Sequence, residues 1–202
     1  MARRGWAEAG ARACGQSCIL ARDVIAYRHA DPRFAFLREQ LPQSAGRWNT
    51  EDELTHYFCD TPDGAWAEFL RHEEIVDAED LLGIRRDLWA VEIGDEPDTR
   101  PELPHQTLVG GAATWSECQR EASRCRSRGE TGITAPSAAL HLGAASGWQT
   151  EGGLRPGPAR DGKVFALFGP RPDLIGWTAA AAGHPSGRLL NRVRHYWRAP
   201  IV

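Results

Sequence analysis

Two stretches of the chain set residues that handle charge beside apolar ones. Residues 45–49 read AGRWN and seat Arg47 directly next to Trp48 and Asn49. A guanidinium fork matches the paired oxygens of phosphate or carboxylate, so an arginine in a loop is a ready anion grip. Further along, AWAEFLRHE carries Glu68 among alanine, tryptophan and phenylalanine. On a helix, residues 65, 66, 69 and 70 recur at the spacing of one apolar face, and Glu68 lies on its flank, ahead of Arg71 and His72. Helical spacing by itself reads Glu68 as a surface residue paired at i,i+3 or i,i+4, worth ~0.2–0.5 kcal/mol. For Arg47 the corresponding plain reading is a surface charge stacked on Trp48.

Other patterns that could carry chemistry fail on inspection. GPARDGKV (157–164) approaches a phosphate loop, but Val164 stands where Ser or Thr would hold magnesium. A β-rich run follows it, instead of the helix whose N-terminus must face the anion. GHPSG (183–187) has a proline that spoils a nucleophile elbow. The seven histidines are scattered without metal-like pairing. Of the five cysteines, Cys14 and Cys18 form C-x3-C, while Cys118 and Cys125 fall on one side of a helix. Neither spacing fits a zinc knuckle, so structural thiols and no metal are expected.

Composition narrows the class further. The 202 residues suit a single domain, and 42% hydrophobic with 25% charged residues is ordinary globular usage. A net charge of −3 and a pI near 6.2 argue against nucleic-acid binding, which rests on clustered positive charge. Apolar runs fall far short of the ~20 residues that cross a bilayer, so no membrane is expected. Arg3-Arg4 precedes no apolar h-region, which predicts a cytoplasmic protein. Lys163 is the single lysine against twenty-three arginines, a bias that comes from coding or from anion handling.

The elements that must position Arg47 and Glu68 follow from local signals. Residues 1–22 read as a frayed or helical leader, and 23–202 as one domain. Strands are predicted at 24–28, 54–59, 88–93 and 163–169, where β-branched and aromatic residues collect. DPRFAFLREQLP opens with a turn and closes as a short helix before Pro42. Thr61-Pro62 is a hydroxyl cap followed by proline, which starts a helix over about 62–76. TWSECQREASRCRSR is helical in pattern, GITAPSAAL extended, and GRLLNRVRHYWR a final helix or strand with a basic side. Residues 143–162 form a long glycine-rich connection suited to a lid or to docking an inhibitor. This irregular alternation predicts an α+β fold with a mixed or antiparallel sheet.

Taken in order, VIAYRHADPRFAFL, AGRWN, HYFCDTPDGAWAEF, ITAPSAAL and FALFGPR resemble the RES domain family, over roughly residues 24–175. The resemblance implies a fold similar to ADP-ribosyltransferases and cleavage of NAD. Characterised relatives are mostly toxins of bacterial toxin–antitoxin pairs, held inactive by a helix-turn-helix antitoxin. Some instead transfer ADP-ribose to a protein. An NAD-binding module without turnover is a third alternative, and a homo-oligomer is left open. RWNTEDELTHYFC departs from the family pattern, with acids and His56 where relatives tend to have a glycine and an apolar strand.

By motif, the family's functional positions fall on Arg28, Arg47, Tyr57, Glu68 and Ser137. In NAD the leaving group is already cationic, so its departure needs no second, proton-donating carboxyl of the sugar-hydrolase kind. Glu68 would stabilise the positive charge that builds on the ribose. Arg28 and Arg47 would hold the diphosphate, and Tyr57 would stack on nicotinamide, with Trp48 and Asn49 as its neighbours in the site. Ser137 would orient Glu68 or bond the ribose, its plainer reading being a turn-forming serine.

Overall fold

The computed structural model describes residues 23–37 and 42–196. In chain order its elements are β1 (Ile25–Ala30), β2 (Thr55–Cys59), α1 (Pro62–His72), β3 (Arg86–Glu92), α2 (His105–Val109), α3 (Trp115–Ser127) and β4 (Gly132–Pro136). The short β5 (Trp148–Gln149) and β6 (Arg155–Pro156), then β7 (Lys163–Phe168) and β8 (Ile175–Gly183), complete the set, with 3-10 turns at Asp80–Gly83, Ala112–Thr114 and Gly187–Arg192. The architecture is mixed α+β. Six strands form a sheet in the order β4-β7-β2-β1-β3-β8, every pair antiparallel.

Strand alternation divides the apolar residues between the two sides of this sheet. On one side, Cys59 and Val164 meet Ala65, Trp66, Phe69 and Leu70 of α1. Next to them, Ile133, Ala135 and Ala166 meet Cys118, Ala122 and Cys125 of α3, together with Trp48. The opposite side buries Ala26, Phe58, Val91, Phe165 and Leu167, packed by Phe36, Leu37 and Leu174. In β1, Tyr27 and His29 therefore face α1, where His29 stacks on Trp66 and meets the edge of Phe69.

Helix α1 begins as its sequence dictates. The Thr61 hydroxyl accepts from the Gly64 amide at 3.0 Å, and Pro62 opens the first turn. It stops at His72, short of the expected 76, because Glu74 takes a left-handed conformation (φ 54°). The Ile75 amide then donates back to the Leu70 carbonyl at 2.9 Å. Ile75 packs onto the α1 cluster, the apolar contact that accompanies this kind of helix end.

Strand β8 escaped the sequence reading. Its run IGWTAAAAG offers little β propensity and is mostly exposed; pairing with β3 at the sheet edge makes it a strand. Residues 31–37 form turns and no helix, while 38–41, the leader 1–22 and the tail beyond 196 lie outside the described residues. The segment 143–162 is tied at its neck. Gly143 donates to Asp161 Oδ1 at 2.7 Å and Ala145 to the Arg160 carbonyl at 2.9 Å, and β5 pairs with β6 within it. Among the described residues no helix is long and apolar enough to cross a membrane.

Candidate functional site

The AGRWN stretch is a tight turn whose ends, Gly46 and Asn49, pair with each other. Its backbone is held from three directions. The Tyr57 hydroxyl accepts from the Trp48 amide at 2.9 Å and donates to Asn49 Oδ1 at 2.7 Å. Asn49 Nδ2 donates to the Ser44 and Thr50 carbonyls at 3.0 and 2.8 Å. From α3, Gln119 Nε2 donates to the Gly46 and Asn49 carbonyls at 2.8 and 3.1 Å. Position 46 requires glycine: a Cβ there would stand 2.7 Å from Asn49 Oδ1 and 2.9 Å from the Tyr57 hydroxyl. Burial pushes the Tyr57 phenol well above its ordinary pKa, so it keeps the proton it donates.

Arg47 leaves this turn toward the segment after α2. Its Nη1 donates to the Thr107 carbonyl at 3.2 Å and to Thr114 Oγ1 at 3.4 Å, and its Nη2 to the Gly110 carbonyl at 2.6 Å.

Glu68 stands on the flank of α1 facing the turn that follows β4. There Ser137 Oγ accepts from the Ala139 and Leu140 amides at 3.2 and 3.1 Å. With its lone pairs so engaged, its proton goes to Glu68 Oε1 at 3.2 Å, which also receives the Ala139 amide at 3.3 Å. One carboxylate oxygen is thus held by two donors. Among the described residues nothing donates to the other.

Two further arginines lie within electrostatic reach of the same carboxylate. Arg71 lies one helical turn beyond Glu68, and its Nη2 donates to the Val109 and Gly110 carbonyls at 3.0 and 2.8 Å. Arg194 follows the last 3-10 turn, with its Nη1 on the Ala138 carbonyl at 3.4 Å. Burial lowers the pKa of both; Glu68 pulls both upward and Tyr196 pulls Arg71 upward, while the positive charge of Arg71 lowers Arg194 and that of Arg47 lowers each. Arg71 and Arg194 therefore each feel both Glu68 and Arg47, an arrangement suited to an anionic ligand that develops positive charge near Glu68.

The site departs from the sequence expectation at several positions. Arg28 does not join Arg47: alternation along β1 puts it with Ala26 on the opposite side of the sheet, opposite Trp89 in register and 5.9 Å from the Phe58 ring centroid. Trp48 is 1% exposed in the α3 cluster and Asn49 is fully buried, so both hold the turn and offer no surface to a ligand. The Tyr57 ring packs between the two clusters beneath the helices, with its hydroxyl committed to the same turn. Of the expected residues, Glu68 and Ser137 are brought into contact, while Arg47 shares the Gly110 carbonyl with Arg71, one turn beyond Glu68. Arg71 and Arg194 were missed. Their only signals are the i,i+3 spacing from Glu68 and the basic side of the C-terminal stretch.

Among the described residues no group of His, Cys, Asp or Glu has metal-holding geometry. Cys59, Cys118 and Cys125 are buried thiols, and burial, then the charge of Glu68, pushes Cys59 well up. A surface depression bounded by Leu103, Glu117, Arg120, Ser123 and Arg124 of the α3 region shares no residue with the Glu68 cluster.

No family model matches the chain, and no curated protein matches it. Among solved structures, the crystal structure of the M. tuberculosis MbcT–MbcA toxin–antitoxin complex shows a likeness at 17% identity, covering 78% of this chain and 86% of that one with a TM-score of 0.46. At that identity and score the likeness assigns neither a fold family nor an activity.

Proposed function

We propose that this protein breaks the bond between nicotinamide and ribose in NAD, as a glycohydrolase or phosphorylase, and serves as the toxin of a toxin–antitoxin pair. The observation that carries the enzymatic part is the fixing of Glu68 Oε1 by Ser137 Oγ and the Ala139 amide. A carboxylate held in this way is preorganised: its second oxygen needs no rearrangement to face developing positive charge. As the C–N bond lengthens, both its electrons leave with nicotinamide and the ribose becomes cationic. Water or phosphate then adds to the sugar carbon and gives up a proton. Arg47 and its neighbouring guanidiniums match the two negative charges of the diphosphate.

The toxin role, a helix-turn-helix antitoxin as partner and an ADP-ribosyltransferase-like fold come from the resemblance of the five stretches to RES domains. No observation favours transfer to a protein over transfer to water or phosphate. Incubating the purified protein with NAD, with and without phosphate, and weighing the ribosyl product by mass spectrometry separates these acceptors. Glu68→Gln is expected to slow nicotinamide release by about 10²–10³-fold with the thermal melt retained. Absence of released nicotinamide from the wild type under every condition removes the proposal.

A further inference from the structure

Arg71 holds more donor capacity than the fold uses. It is 3% exposed, and while Nη2 bonds two backbone carbonyls and Tyr196 favours its charge, Nε and Nη1 are enclosed and, among the described residues, meet no acceptor within hydrogen-bond geometry. Leaving donors of a buried charged group unmet is costly, and most buried polar atoms in proteins find a partner. A guanidinium kept in that condition is poised for a ligand. Two more features point the same way. The Gly110 carbonyl receives Arg47 Nη2 at 2.6 Å and Arg71 Nη2 at 2.8 Å, so a single oxygen already bridges both forks. The ring of Tyr196 covers Arg71, with the guanidinium carbon 4.4 Å from its centroid, and rests on Gly111, where a Cβ would come within 3.3 Å of the ring.

We propose that Arg71 and Arg47 form an anion-binding subsite for the diphosphate of the substrate, and that Tyr196 covers it until the anion enters. The Gly110 carbonyl holds the place of an anionic oxygen between the two forks, and the ring shields the face that the ligand takes. Arg194 adds a third positive charge nearby. This subsite replaces the one expected of Arg28, which lies across the sheet. Naming a diphosphate rests on the NAD reading; the anion site itself does not.

The test is calorimetric titration of the whole chain with inorganic pyrophosphate and with ADP-ribose at fixed ionic strength. Arg71→Gln is expected to weaken both by about 10–100-fold, the loss of a charge-assisted pair of bonds. Tyr196→Ala is expected to tighten pyrophosphate several-fold, since the ring no longer competes. It also keeps the test decisive if Arg71→Gln does not fold. Three results would overturn the subsite: wild type that binds no pyrophosphate, a folded Arg71 variant that binds like wild type, or Tyr196→Ala binding that is unchanged or weaker. Wild type that binds pyrophosphate through Arg71 yet releases no nicotinamide would keep the subsite and remove the NAD reading. Wild type that cleaves NAD while Arg71 variants bind normally would do the reverse.

Discussion

Replacing Tyr57 with phenylalanine separates two roles that a tyrosine in this place could have. Phenylalanine keeps the ring and removes only the hydroxyl, which here accepts from the Trp48 amide and donates to Asn49 Oδ1. Both partners belong to enclosed residues, Trp48 at 1% and Asn49 at 0% exposure. The gap left by one oxygen atom, with Gly46 against it, is below what a water with two to four partners needs. Each of the two orphaned groups then costs ~1–3 kcal/mol, so the variant should lose about 2–6 kcal/mol. At roughly 2–4 °C per kcal/mol for a chain of this size, the melting temperature should fall by about 4–24 °C. Differential scanning calorimetry reads the shift, and nicotinamide release measured well below the melt reads the site. A melting temperature within a degree or two of wild type would show that the AGRWN turn does not depend on this hydroxyl and would refute the reasoning.

Ser137→Ala leaves Glu68 Oε1 with the Ala139 amide as its one donor and orphans the Leu140 amide; nicotinamide release should drop by about 10–100-fold in kcat with KM little changed, and a KM-only effect would count against an orienting role. Arg28→Gln should leave KM for NAD within about twofold while Arg47→Gln raises it by tenfold or more, since a lost charge-assisted bond is worth ~1.5–3 kcal/mol; equal effects would mean that Arg28 reaches the substrate after all. His29 concerns stability. Burial, then the charges of Arg86, Arg28 and His72, lowers its pKa from 6.5 to about 3. The unfolded chain therefore binds the proton first as pH falls through 6.5, and stability declines by up to ~1.4 kcal/mol per pH unit until the folded imidazole titrates near 3. His29→Phe keeps a ring against Trp66 and Phe69 and should flatten urea midpoints between pH 4 and 6.5, a range set by that shift; an unchanged slope would exclude His29 as its source.

How far the sequence alone reaches is clearest residue by residue. The cap at Thr61, the proline after it and the apolar spacing of residues 65, 66, 69 and 70 specify α1, because these signals act within a turn or two of helix. The apolar run of β7 and the alternation in β1 and β2 likewise declare strands locally. Residue type, neighbours and order along the chain singled out Arg47 and Glu68 as candidates. Which side of the sheet a strand residue faces was not, because it depends on where α1 and α3 come to pack. That choice takes Arg28 out of the cluster, and the packing of the AGRWN turn against α3 puts Trp48 in the core.

The meeting of Glu68 with Ser137, 69 residues later, and its electrostatic reach to Arg194 near the end of the described chain depend on the register of β4 against β7 and on the course of the last 3-10 turn. No local pattern encodes such distances. Strand β8 exists only because β3 offers it an edge, and Arg71 is a helix-flank arginine until the Gly110 carbonyl closes over it. Local chemistry determined the elements and most of the candidate groups. Burial and non-local packing decided which of those groups share one site, because hydrophobic contacts are directionless and only the completed sheet gives them a side.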